Sequence, residues 1–355
     1  GGFGTRLRPI SCTRPKILVS IVNKPLLQWT FERLAKNNIT EAILAVNYQT
    51  EAYVKQHKIP KSGLKIKYSR DPLRKPLGTG GPIKKAEKLV GHDSPFLVLN
   101  GDIFADVNYT EILKKHKKEK AVATIALHQV EDPSRYGVAE LADGNRIRRF
   151  IEKPHREAAP SNLINAGVYA LSPKIFNYIP KGKAVSIERE VFPKLAEEGT
   201  LYGHIFDGLW MDIGKTEEYL QLHKTLLDSF VNQQKHKARA KIEVKNPVAL
   251  DRGVSIGEKS VIGPYAVLGR KVIVGNNVHI KNSVILPRTI IGDFSSISEA
   301  IIGEDVIIGE KVKIGKGCIV GDHVKIKDNI SLIENVSICP AREVSESVLT
   351  PKCVC

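Results

Sequence analysis

Aromatic residues are scarce in this 355-residue chain, at 6% with two tryptophans, and methionine occurs once. Lysine and arginine number 54 against 38 acidic residues, yet they are spread along the chain and seldom sit among aromatics, so a nucleic-acid partner is not expected. The formal charge of +16 suits instead an enzyme handling polyanionic ligands, because it raises their local concentration. No run of about 18 consecutive apolar residues occurs, so no membrane-spanning helix is expected. The five cysteines (Cys12, Cys318, Cys339, Cys353 and Cys355) are odd in number and form no CxxC pair. No disulfide framework is therefore expected, and a reducing cytoplasm is the expected location. Histidine and cysteine show no zinc spacing, and the Lys352-Cys353-Val354-Cys355 stretch is not a prenylation box.

What the sequence does have begins with GGFGTRLRP at residues 1–9. Glycines let backbone amides approach a ligand without Cβ interference, and Arg6 and Arg8 add positive charge beside them. A P-loop needs a terminal GK[ST] and a dinucleotide fingerprint needs a third glycine, so neither pattern fits. A polyphosphate ligand does.

The two halves of the chain have different periods. Through about residue 225, short apolar runs such as FLVL at 96–99 alternate with helical stretches, which predicts an α/β domain with a Rossmann-like, mostly parallel sheet. Ligands of such sheets sit at the carboxyl ends of strands, which places Asp102, just after FLVL, in the site. A helix is expected near residues 51–56, a solvated helix end at 114–120, and an amphipathic helix in TEEYLQLHKTLLDSF. Beyond Lys241 the period is six. Ile256, Ile262, Leu268, Val274, Ile280 and Leu286 are followed, after a one-residue slip, by Ile285, Ile291 and Ile297. Ile302, Ile308, Ile314, Val320, Ile326, Leu332 and Ile338 then resume the pattern, and a glycine follows many of these positions. Aliphatic knobs every six residues with tight glycine turns predict a parallel β-helix. The expected domains are 1–225, a linker at 226–250, and the β-helix at 251–355.

GGFGTRLRP, Pro15-Lys16, LGTGGP, LNGD, SRYGV, RFIEKP, INAGVY, SIEREVFP and LWMDIG occur in the order seen in sugar nucleotidyltransferases with hexapeptide-repeat tails. The chain resembles that family over nearly its whole length. The resemblance implies a left-handed β-helix, and transfer of a nucleotidyl group from GTP or another nucleoside triphosphate to a sugar 1-phosphate. SIEREVFP and LWMDIG resemble the branch that uses mannose 1-phosphate and GTP. By the same resemblance Arg6 and Lys16 are catalytic, lying at the leaving pyrophosphate and beside the reacting phosphates. Gly2, Gly4, Thr5, Gly78, Thr79 and Gly80 bind the nucleotide. Gly137, Glu152, Lys153 and Asn165 bind the sugar phosphate, with Lys153 on its phosphate and Glu152 on hydroxyls. Asp102 and Asp212 hold Mg2+, as two carboxylates with phosphate oxygens and water can. Glu188 and Glu190 read as helix-start carboxylates outside the site.

The attacking phosphate oxygen is already ionised near neutral pH, so such chemistry needs positioning and cationic stabilisation more than a general base. Other readings are a thymidylyl- or uridylyltransferase for glucose 1-phosphate, a β-helix that also transfers acetyl groups through His279 or His323, and a noncatalytic regulatory or translation-initiation exchange-factor-like subunit. The β-helix is expected to assemble a homo-oligomer. The family places a hydrophobic strand before the glycine loop; here it is missing, and the chain is expected to be a fragment of a longer parent whose activity depends on that strand.

Overall fold

The computed structural model describes residues 7–72, 76–230 and 241–355. The chain divides into two compact units, one comprising Leu27–Met211 and the other joining residues 7–26 to Asp212–Cys355.

In the first unit, helix α1 (Leu26–Lys36) leads into strand β1 (Glu41–Val46), helix α2 (Tyr48–Gln56) and strand β2 (Lys65–Arg70). β1 and β2 pair in parallel from Glu41↔Lys65 to Val46↔Arg70. Helix α2 begins before residue 51 because Asn47 caps it, its Oδ1 accepting from the Thr50 amide at 2.8 Å. Next come α3 (Gly80–Lys85), β3 (Phe96–Leu99), α4 (Tyr109–Lys118), β4 (Ala123–Gln129) and the β5–β6 hairpin (Gly137–Leu141, Ile147–Glu152). Strand β7 (Leu163–Leu171), helix α5 (Phe192–Glu197) and strand β8 (Leu201–Ile205) complete the unit. The sheet order is β8-β4-β7-β5-β6, with β3 also on β7.

β4 and β8 form a second parallel ladder, while β7 runs antiparallel to both β3 and β4. A strand buried on both faces reads as one apolar run in either direction, so the antiparallel neighbours were not visible in LINAGVYAL. Phe192 of α5 closes the core against Phe150 and Tyr169, with edge-on rings 5.4 and 5.1 Å apart. Helix α4 turns Tyr109, Ile112 and His116 inward and leaves its lysine-rich end exposed, as its pattern predicts.

In the second unit, helix α6 (Thr216–Phe230) follows the amphipathic reading. Strands at Glu243–Val244 and Val248–Leu250 already lie within the 226–250 stretch. From there, strands of two or three residues stack in parallel into a β-solenoid whose three sheets hold six, seven and six strands among the described residues. Partners lie 18 residues apart (Val261↔His279), 17 (Val267↔Val284) or, at the last coil, 16 (Ser337↔Cys353). The expected knobs from Ile262 to Ile338 fill one continuous apolar core, with Ile285 holding the place that the unbroken count assigned to Leu286. Two five-residue steps, 280 to 285 and 297 to 302, produce the 17-residue coils.

The glycines after the knobs are not, in general, the turn residues. The left-handed corner is taken by Lys259, Tyr265, Lys271, Asn277, Asn282, Arg288, Phe294 and their successors to Ala341, with φ near 50–60°. Gly257 serves a different need, since a Cβ there would lie 2.5 Å from the Gly275 backbone of the next coil. The glycines permit close stacking of coils, which a one-dimensional reading assigns to turns. A disulfide joins Cys339 to Cys355 across one coil, contrary to the expectation of none. Spacing along the chain hides this pair, because the coil rather than the motif brings the residues together.

Candidate active site

Strand register assembles the residues read as the sugar site. Gly137 lies opposite Glu152 and Val138 opposite Ile151 across the β5–β6 hairpin, while Val138 also lies opposite Ile164 of β7. The same antiparallel register brings Gly137 beside Asn165, itself opposite Leu127 of β4. Glu152, Gly137 and Asn165 thus form one row across three strands. Position 137 must be glycine for a local reason, since a Cβ there would meet Phe150 Cζ at 2.5 Å and Glu152 Oε2 at 2.8 Å. The missing side chain is the space the Glu152 carboxylate occupies.

Burial, and then the negative charge of Glu188, push the Glu152 carboxyl above its usual range, with Lys153 and Arg189 opposing. Lys153 Nζ lies 3.7 Å from Glu152 Oε1, and its side chain is 57% exposed, so the ammonium remains available to an anion. Its backbone adopts φ 52°, uncommon for a residue with a Cβ, and its amide donates to the Tyr136 carbonyl at 3.0 Å. The strand therefore ends in a fixed turn that presents the lysine.

Asn165 sits at an irregularity in β7: its Oδ1 accepts from the Gly167 amide at 2.8 Å and its Nδ2 donates to Tyr169 Oη at 3.0 Å. Asn100 also hydrogen-bonds to Tyr169, and the Asn100 amide donates to the Gly167 carbonyl at 2.8 Å. Asp102 follows two residues on, in the turn after β3, so it shares the sheet edge with this row.

The LGTGGP loop is anchored on the segment before α5. Gly78 has φ 69° and a Cβ there would overlap the Val185 carbonyl, while the Gly80 amide donates to that carbonyl at 2.9 Å. Thr79 Oγ1 donates to Glu188 Oε2 and accepts from the Ile187 amide at 3.0 Å. Glu188 is the residue sequence reasoning left out. It is buried in a π-type turn (Ile187–Val191), where it also accepts from Ser186 Oγ at 2.9 Å. Glu190 does behave as a helix-start residue, its carboxylate accepting from the Ser186 amide at 2.7 Å. The loop read as a nucleotide contact and the row read as a sugar contact are thus joined through the mutually repelling carboxylates of Glu188 and Glu152.

In the second unit, Lys16 Nζ lies 3.7 Å from Asp212 Oδ1, both side chains being largely buried. Gly214 leaves room beside that carboxylate, since a Cβ there would stand 3.1 and 3.3 Å from its oxygens. Gly2, Gly4, Thr5 and Arg6 lie outside the described residues. His279 is exposed on a solenoid strand, and His323 stands 3.8 Å from Asp305 with its side chain mostly exposed.

The Nucleotidyl transferase family model matches residues 1–229, and the GMPPB C-terminal domain model matches residues 244–354. The chain belongs to the nucleotidyl transferase family. It is 40% identical, over 73% of its own length and 71% of the relative's, to the mannose-1-phosphate guanylyltransferase catalytic subunit beta of Danio rerio. It is 38% identical to a probable mannose-1-phosphate guanylyltransferase 1 of Oryza sativa subsp. japonica, over 73% and 72% of the two chains. Among solved structures it resembles HddC from Yersinia pseudotuberculosis, with TM-score 0.55 and 29% identity over 64% of this chain and 96% of that one; HddC is also known complexed with GMP-PN.

Proposed function

We propose that this chain makes GDP-mannose and pyrophosphate from GTP and mannose 1-phosphate. The observation that carries the reading is the Glu152-Gly137-Asn165 row, tied through Glu188 to the Thr79 loop, in a chain whose curated relatives bear that activity's name. A phosphate oxygen of the sugar phosphate attacks the α-phosphorus of the triphosphate, a new P–O bond forms, and the bond to the β-phosphate breaks to release pyrophosphate. Lys153 holds the sugar phosphate, because an exposed ammonium on a fixed turn can meet an anion as a point charge. Glu152 accepts hydrogen bonds from sugar hydroxyls, while Thr79 and its glycines carry the base. Lys16 and Arg6 offset charge on the reacting and leaving phosphates.

Magnesium is the proposed metal, with Asp102 and Asp212 as its carboxylates. When bound, it would neutralise phosphate charge as a Lewis acid. Residues 1–225 are read as the catalytic domain and 251–355 as the solenoid, whose first strands already begin within the connecting 226–250 stretch. The solenoid assembles copies of the chain in the cytoplasm. In support, Ile273, Ile290 and Ile307 stack in register on one solenoid face, 47%, 41% and 44% exposed. Exposed apolar ladders of this kind mark association surfaces.

A pyrophosphate-release panel tests the reading, pairing each nucleoside triphosphate with mannose, glucose and glucosamine 1-phosphates. Fastest turnover is expected with GTP and mannose 1-phosphate. Faster turnover with dTTP or UTP and glucose 1-phosphate would overturn the substrate assignment.

A further inference from the structure

The last solenoid coil brings three cysteines together that no active-site role uses. Ser337–Ile338 and Cys353–Val354 pair in parallel, with Ser337 opposite Cys353 and Ile338 opposite Val354. The Cys339 amide donates to the Val354 carbonyl at 2.8 Å, which carries the register one residue further and sets Cys339 beside Cys355. Alternation along a strand fixes the faces: Ile338 is buried and Val354 packs against the solenoid core, so Cys339, Cys353 and Cys355 point outward together. Cys353 Sγ lies 3.3 Å from Cys355 Sγ and 4.0 Å from Cys339 Sγ, and all three sulfurs lie within 4.8 Å of one another. In the structure, Cys339 and Cys355 are joined as a disulfide.

We propose that, once this disulfide is reduced, Cys339, Cys353 and Cys355 form a three-thiolate site for a soft cation of the zinc class. Tetrahedral coordination with Zn–S bonds of about 2.3 Å separates neighbouring sulfurs by about 3.8 Å, and the two non-bonded separations fall on either side of that value. The third edge opens to the same length when the disulfide is cleaved. Three soft sulfur donors select zinc or a similar thiophilic ion over magnesium or calcium. With Cys353 and Cys355 exposed, the fourth position faces solvent and is open to water.

The chemistry balances with a phosphine reductant. Two electrons from phosphorus cleave the S–S bond, water supplies the oxygen of the phosphine oxide, and its two protons leave Cys339 and Cys355 as thiols. Binding of one zinc ion then displaces three thiol protons into solvent. Oxidation and metal binding compete for the same sulfurs, so the site is closed to metal while the disulfide stands.

The test uses the full chain, treated with chelator, reduced anaerobically with a phosphine and titrated with Co2+ and then Zn2+. Expected are one cobalt per chain with thiolate-to-cobalt charge-transfer absorption and the visible bands of a tetrahedral site, all bleached by an equivalent of zinc. Cys353→Ser changes one exposed side chain, so its fold is not in question, and it should weaken binding by roughly tenfold or more, since even outer-shell changes at metal sites cost that much. Cys12→Ser should leave the spectrum unchanged. Absence of charge-transfer absorption in the reduced chain, or a full spectrum retained in Cys353→Ser, would overturn the proposal.

Discussion

Asp322→Ala is expected to loosen the second unit and, through it, the segment carrying Lys16. Asp322 is 2% exposed and accepts from Arg14 Nη2 and Thr13 Oγ1, while its other oxygen accepts from the Glu304 amide at 2.8 Å. Arg14 also reaches Glu304, itself paired with Arg288 at 2.8 Å. Removing Asp322 leaves a buried guanidinium with one counter-charge fewer and takes the side-chain acceptor from the partly buried Glu304 amide. Breaking a buried pair costs roughly 3–5 kcal/mol, and because Glu304 remains as a partial partner the lower end, about 3 kcal/mol, is the expected loss. Denaturant titration followed by circular dichroism measures it. A second arm separates charge from packing: Arg14→Met with Asp322→Leu replaces both charges by apolar groups and should recover most of the loss. Arg14 lies two residues before Lys16, so Asp322→Ala should also lower kcat, with the paired replacement recovering stability first. A loss below about 1 kcal/mol, the size of an ordinary hydrogen bond, would refute the reasoning, as would a paired replacement no better than the single one.

Lys153→Ala should raise KM for the sugar 1-phosphate by roughly tenfold to a hundredfold and leave KM for GTP nearly unchanged, because a charge-assisted phosphate contact is worth about 1.5–3 kcal/mol; steady-state kinetics in both substrates decide it. Gly137→Ala should lower both stability and activity, since its Cβ meets the buried Phe150 ring at 2.5 Å and the Glu152 carboxylate at 2.8 Å; a parallel melting and rate measurement in which neither falls would refute this. His223 is buried and its pKa is pushed down to about 3 by desolvation, so it stays neutral in the fold while the unfolded chain protonates near 6.5. The contribution of neutral His223 is therefore complete above pH 6.5 and is lost as pH falls toward 3. Denaturation midpoints between pH 6.5 and 5 should fall less steeply in His223→Gln than in the parent chain. Ile290→Lys should reduce the oligomer mass in sedimentation without changing the solenoid's circular dichroism, and an unchanged mass would move the interface elsewhere.

Much of this molecule was legible where a pattern repeats or a strand ends. The six-residue knobs declared the solenoid, because each coil must bury an aliphatic side chain at the same place. Asp102 was legible as a strand-end residue, while the register that sets Asn165 and Glu152 in one row was not. What stayed hidden depended on pairing between distant segments. The solenoid corners are a clear case: left-handed φ falls on lysine, asparagine and arginine, while the conspicuous glycines answer to a neighbouring coil. Cys339 and Cys355 stayed apart for the same reason, since a coil length rather than a local motif joins them.

Glu188 shows why one residue of the constellation could not be read from local chemistry. In SIEREVFP both glutamates satisfy the expectation for a helix start, where a carboxylate meets unpaired amides. Only one can take that role. Glu190 reaches back to the Ser186 amide, and the wide turn through Ile187–Val191 rotates Glu188 away from solvent toward Thr79. Once there, its charge adds to burial in raising the pKa of Glu152, so the segment that anchors the Thr79 loop also tunes that carboxylate. Two negative groups in a partly buried site repel each other and disfavour an empty state, and a cation such as Lys153, or a donor on a bound sugar, relieves that repulsion. A signal was present in the sequence all along, because a serine followed by two alternate glutamates offers more carboxylates than one helix start can use.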